Sequence, residues 1–164
     1  MRILIAGIGN IFFGDDAFGG EVARTLLEGG PWQGVRVEDF GIRSYDLACA
    51  MMEKYDAVIL VDVVRMGCPP GTVVLIEPLL NQGATRHDEV VDAHSLNLES
   101  VLDMVDLLGR RPIEGQKIYL IGCEPAQLEA DESGLSWQVR NAVAGAVSMI
   151  ASLIQQLQRG ACGS

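Results

Sequence analysis

Four acidic or imidazole side chains in this chain stand where their chemistry needs explaining. Asp15 and Asp16 are adjacent, and like charges so close repel unless a proton or a cation relieves them. Asp62 ends the apolar run Val58-Ile59-Leu60-Val61, where an unpaired charge is costly. His94 is one of only two histidines; the other, His87, lies in the polar stretch Thr85-Arg86-His87-Asp88-Glu89 and reads as solvated. As a set, Asp16, Asp62 and His94 offer the oxygen and nitrogen donors that suit a borderline divalent metal such as Zn²⁺ or Ni²⁺. Three protein ligands with open positions describe a working metal site and not a structural one. Each residue also has a plainer role. One aspartate of the pair could cap the helix that follows, Asp62 could accept loop amides, and a lone histidine is commonly structural. The ligands are distant in sequence, so spacing leaves both readings open.

Gly7-x-Gly9 follows an apolar run and invites a dinucleotide reading, but the pattern is incomplete. Position 12, where the third glycine belongs, is Phe12. Asp15 and Asp16 also stand where a pyrophosphate needs helix amides and no negative charge. The two glycines read as a tight turn close to neighbouring strands.

The elements that must position these residues alternate between apolar runs and helical patterns, the signature of a layered α/β domain. The pattern predicts strands over Arg2–Ala6, Val35–Phe40, Ala57–Val64, Thr72–Glu77 and Lys117–Gly122. Helices are predicted from Gly20 to Glu28, closed by Gly29-Gly30-Pro31, and over Tyr45–Tyr55, Leu98–Leu108 and Ser136–Leu157, with a polar loop over 78–93. Pro69-Pro70-Gly71 is too short for a helical crossover, so the strand after it runs antiparallel to its predecessor. The architecture expected is a three-layer α/β sandwich: a mostly parallel five-stranded sheet with helices on both faces. Ligand sites in such sheets lie beyond the carboxyl ends of the strands. Three of those ends carry polar chemistry: Gly7 to Asp16, Asp62, and Gly122-Cys123-Glu124-Pro125.

Bulk properties narrow the function classes. The 164 residues fit one domain spanning 1–164, at roughly 150 residues per domain, with a frayed tail expected from about 159. Hydrophobic residues at 49% and charged residues at 21% describe a chain with a core and not a disordered tail. A net charge of −10 opposes nucleic-acid and anionic-membrane binding. No apolar run approaches the ~18 residues of a membrane span. The start, Met1-Arg2-Ile3-Leu4-Ile5-Ala6, is too short before its glycines for a signal peptide, so a cytoplasmic location is expected. The four cysteines form no C-x-x-C pair. Two or three of them are expected to be buried small hydrophobes, with Cys162 in an exposed tail and none acting as a nucleophile.

Gly7-Ile8-Gly9-Asn10-Ile11-Phe12-Phe13-Gly14-Asp15-Asp16-Ala17-Phe18-Gly19 closely resembles the N-terminal signature of the nickel–iron hydrogenase maturation endopeptidases. Leu60-Val61-Asp62, Pro70-Gly71-Thr72, Asp92-Ala93-His94-Ser95-Leu96 and Ile121-Gly122-Cys123-Glu124-Pro125 follow in that family's order, so the resemblance spans residues 1–158. It implies a cytoplasmic hydrolase, an aspartate-bearing protease that removes a short C-terminal extension from the hydrogenase large-subunit precursor after nickel insertion. The nickel-contacting and catalytic set it implies is Asp16, Asp62 and His94, with nickel supplied by the precursor and no permanent cofactor. Two chemistries fit: a carboxylate activates water, or the metal polarises the scissile carbonyl. Two departures stand out: Asp16 replaces the Glu of some members, and Asp39-Phe40-Gly41-Ile42-Arg43 replaces a glycine-rich loop after the second strand. The divergent loop leaves the cognate large subunit open. A checkpoint protein that senses nickel loading without cutting would need the same ligands, whereas a nucleotide-binding α/β protein would bind a dinucleotide saturably. Nothing in the sequence sets the oligomeric state.

Overall fold

The computed structural model describes residues 1–77, 115–128 and 134–162. Strands β1 (Ile3–Ile8), β2 (Val35–Gly41), β3 (Ala57–Val63), β4 (Val73–Ile76) and β5 (Lys117–Cys123) form one sheet in the order β2-β1-β3-β5-β4. The first four in that order are parallel, and β4 is antiparallel to β5. Helices α1 (Phe18–Glu28), α2 (Ser44–Met51) and α3 (Trp137–Cys162) pack on the sheet. The expected mostly parallel five-stranded α/β architecture is therefore observed. The predicted helix over 98–108, the loop over 78–93 and both histidines lie outside the described residues.

Continuous apolar strands arise here because both faces of the sheet are covered. Alternate residues go to opposite layers. Ile3, Ile5, Ala57, Ile59, Val61, Tyr119 and Ile121 pack with Phe18, Val22 and Leu26 of α1 and with the inner side of α3. Leu4, Ala6, Val58, Leu60, Ile118 and Leu120 pack with Leu47, Ala48, Ala50 and Met51 of α2. Every residue of β1 and of β3 is buried, which leaves β3 central as its composition predicts.

Three details depart from the sequence reading. β4 does run opposite to β3, as the short turn requires, but the two do not pair; β5 lies between them. Residues 64–72 arch across the end of β5 instead, tied by Val64 N–H to Cys123 O (2.9 Å), Gly71 N–H to Glu124 O (2.8 Å) and Glu124 N–H to Thr72 O (2.9 Å). Helix α2 stops at Met51, because Glu53 to Tyr55 already turn into β3 through the Tyr55 N–H to Glu53 O bond. Helix α3 continues to Cys162, past the expected end at Leu157, with Gln158 Nε2 donating to Gln33 O (3.1 Å). Of the cysteines whose side chains are described, Cys123 is buried while Cys49 and Cys68 are half-buried.

Two glycines set how closely α1 seats on the sheet. A Cβ on Gly7 would lie 2.3 Å from Gly19 O, and one on Gly19 would lie 2.2 Å from Ile8 O and 2.3 Å from Val61 O. These are contacts with backbone, which cannot swing aside. The glycines therefore serve close approach, and no phosphate cradle is required to explain them. Gly19→Ala should destabilise the protein by about 3 kcal/mol, the upper end for overpacking. Gly145→Ala, at an exposed position of α3 with nothing within 4 Å, should stabilise by about 0.5–1 kcal/mol. Urea unfolding of both variants checks the pair; equal effects would contradict the close-approach argument.

Candidate active site

The carboxyl ends of β1, β3 and β5 meet at one edge of the sheet, and each delivers acidic side chains there. Asp62 sits one residue before the end of β3, on the strand most enclosed by its neighbours. Its side chain is 5% exposed, and its Oδ1 accepts the N–H of Val63 at 2.8 Å. Burial, followed by the charge of Asp16 beside it, pushes its carboxyl up to about 8; the Val63 bond opposes this. Among the described residues no Lys or Arg forms an ion pair with it.

Asp16 reaches Asp62 from a loop that is closely determined. β1 ends at Ile8, and Gly9 adopts φ +131°. A Cβ there would lie 1.7 Å from Asp16 O, so only glycine lets the chain double back so tightly. Asn10 N–H then donates to Asp16 Oδ2 (2.7 Å), and Asn10 Oδ1 accepts Phe12 N–H (3.0 Å). The chain closes into a single 3-10 turn over Gly14–Ala17 that leads directly into α1.

Neither aspartate caps α1, whose N-cap is Ala17 with no side-chain cap bond. Asp15 is fully buried and turns the other way. Its carboxylate accepts N–H groups of Ala126 (2.8 Å), Gln127 (2.9 Å) and Ser136 (2.7 Å), and the Ser136 hydroxyl (3.0 Å). Adjacent acidic residues in the sequence thus have separate fates: one is held by donors from distant segments, and the charge of the other acts on Asp62.

Glu124 follows the Asp15 pattern. It is 7% exposed, and its Oε2 accepts Met66 N–H (2.6 Å) and Cys68 N–H (3.2 Å), which pins the arch over β5. Burial, then the charges of Asp15 and Glu124, push the Cys123 thiol up to about 12, which disfavours the thiolate at neutral pH.

Of the predicted set, Asp16 and Asp62 lie at the same edge of the sheet, near enough for the charge of one to act on the other, while His94 lies outside the described residues. Among the described residues no three His, Cys, Asp or Glu side chains are grouped to hold a metal ion. Sequence reasoning missed the anchoring partners of Asp15. Ser136 was visible only as a helix start, and no local pattern links it to a residue 121 positions earlier.

The raised Asp62 carboxyl makes a prediction about stability. Folded Asp62 keeps its proton up to about pH 8, whereas the unfolded chain releases it near pH 4. The native state holds more protons between those values, so this residue's contribution falls as pH rises through the window. Asp62→Asn should therefore melt at the parent's temperature at pH 4 and clearly above it at pH 8. A constant difference between the two melting curves would mean that Asp62 is ionised in the fold.

Comparisons with known proteins place the chain in a family. The family model described as "HycI: Hydrogenase maturation protease" matches residues 21–153, a span that contains Asp62 and His94. The hydrogenase expression/formation protein HupD of Rhodobacter capsulatus is 30% identical, over 96% of this chain and 71% of its own. The hydrogenase maturating endopeptidase HybD of E. coli superposes with a TM-score of 0.74 at 25% identity, covering 95% of this chain and 93% of that one. The [NiFe] hydrogenase maturation protease HycI of Thermococcus kodakarensis gives 0.63 at 26% identity, covering 94% and 92%. A chain matched over most of its length in both sequence and fold is a member by descent as well as by shape: this protein belongs to the hydrogenase maturation protease family and is a peptidase.

Proposed function

We propose that this peptidase removes the C-terminal extension of a nickel-loaded hydrogenase large-subunit precursor, reading the nickel with Asp16, Asp62 and His94. The observation that carries the reading is the pairing of Asp16 with Asp62. Two carboxyl groups stand together in a poorly solvated place, and one is held neutral by burial and by the other. A divalent cation arriving with the substrate would relieve that repulsion and ionise Asp62. The nickel belongs to the precursor, whose own thiolates complete its coordination; the enzyme supplies hard oxygen donors and, from His94, an imidazole. The enzyme needs no resident metal for this.

The surface beside the pair suits a protein substrate. Ile11 and Phe12, in the loop that carries Asp16, are 60% and 70% exposed, and Ile42, just after β2, is 63% exposed. The two loops are joined by the Gly9 N–H to Gly41 O bond (3.1 Å). Arg43 steadies the second loop by donating to Asp39 O (2.5 Å) and Phe40 O (3.2 Å). Exposed large apolar side chains on ordered loops fit a macromolecular partner better than a small ligand.

The test is incubation of the enzyme with nickel-loaded and with apo precursor, followed by mass spectrometry of the product. Loaded precursor should lose its extension and apo precursor should survive, even at excess enzyme. His94→Ala should abolish processing, and processing should decline below about pH 6.5, where protonation removes the imidazole's donor pair. Phe12→Asp should raise the precursor concentration needed for half-maximal cleavage about tenfold with little change in melting temperature. Stoichiometric metal in the isolated enzyme, together with cleavage of apo precursor, would identify an ordinary metalloprotease instead.

A further inference from the structure

We propose that Asp15 is a positioning residue for this reaction: it holds Asp16 against Asp62 by anchoring their shared turn to β5 and α3. The proposal rests on the assignment of Asp16 to the site. Within the turn, Asp16 accepts Asn10 N–H and donates its own N–H to Phe13 O (3.0 Å). Asp15 ties that turn to distant segments. Its Oδ2 gathers Ala126 N–H, Gln127 N–H and the Ser136 hydroxyl, its Oδ1 takes Ser136 N–H, and its N–H donates to Gln127 O (3.0 Å). The Ser136 hydroxyl also accepts Val139 N–H (3.4 Å) in the first turn of α3.

A helix start requires one acceptor. Here four donors from two segments converge on a carboxylate carried by a third. The route to Asp62 is short. Ala126 and Gln127 follow β5, and β5 pairs with β3 through Asp62↔Gly122 and Val63↔Cys123. The chain of contacts therefore runs from Asp16 through Asp15, whose buried carboxylate is held by four donors, and the end of β5 to Asp62. Asparagine cannot replace Asp15. With its single oxygen placed against the three donors, its amide N–H₂ faces the N–H of Ser136.

The test compares Asp15→Asn with Leu157→Ala, which removes core packing at the far end of α3. Both are measured at a temperature where each is folded. One readout is the amide proton resonance of Asn10, which reports its bond to Asp16 Oδ2 independently of activity; the other is the single-turnover cleavage rate of nickel-loaded precursor. Asp15→Asn should move the Asn10 resonance upfield and slow cleavage at least about tenfold, the scale expected for small misplacements of a reacting group. Leu157→Ala should leave the resonance in place and the rate within about twofold, as a loss of stability alone would. If Ala126, Gln127 and Ser136 respond while Asn10 does not, Asp15 merely anchors α3 and the proposal is overturned, whatever the rate. If Asn10 moves and cleavage persists, the positioning stands and the assignment of Asp16 to the reaction fails. Should Asp15→Asn not fold, Ser136→Ala removes part of the same bonding and should give both effects in smaller measure; an unmoved Asn10 there overturns the proposal equally.

Discussion

A carboxyl group at the end of an apolar strand, with a second one beside it, is a place the chain would leave if it could. Asp62 cannot leave, because β3 is the central strand and is buried on both faces up to its last residue. Asp16 cannot retreat either, because Gly9 and Asn10 close its loop from one side and the 3-10 turn closes it from the other. The repulsion between the two is thus maintained by backbone geometry, and it adds to burial in pushing the Asp62 carboxyl up. Local strain of this kind persists where the surrounding structure over-determines it, and such places are commonly functional.

The acidic residues at this edge divide by what their oxygens touch. Asp15 and Glu124 are buried and satisfied by backbone N–H groups, which makes them fixed acceptors that cross-link segments distant in sequence. Among the described residues, the hydrogen-bond partner of Asp62's carboxyl is its neighbour's N–H. The cross-links supply rigidity around the pair, so that a cation brought by another molecule would meet donors already in place. Pre-set donors do not have to be reorganised when the ligand arrives, which is how a fold turns structural hydrogen bonds into selectivity.

Much of this was legible in the sequence, for identifiable reasons. Two-sided burial makes strands read as unbroken apolar runs, so β1 and β3 were plain, and Gly29-Gly30-Pro31 marks the end of α1 by its turn chemistry. Asp62 was conspicuous because it contradicts the run that precedes it. What local pattern could not give was pairing. The sequence showed that β4 reverses direction, but not that β5 comes between it and β3, since that depends on contacts made far along the chain. Asp15 was likewise open between a helix cap and a ligand because its partners belong to segments more than a hundred residues away. It turned out to serve neither role for α1.

The insertion of β5 also has a consequence in time. β3 and β4 are joined by a short arch, yet neither can complete its hydrogen bonding on the facing side until residues 117–123 slide between them. A nascent chain emerging from the ribosome therefore carries an open slot in its sheet while the intervening forty or so residues are made. Closing it brings Val74 against Gly122 and seats Glu124 under the arch. Contacts of such sequence separation slow folding, because loop entropy is lost before they form. This edge of the sheet is assembled by that same closure, since two of the donors that hold Asp15, Ala126 and Gln127, directly follow β5. An unfinished chain thus lacks the organised pair of aspartates, which arrives only with the completed fold.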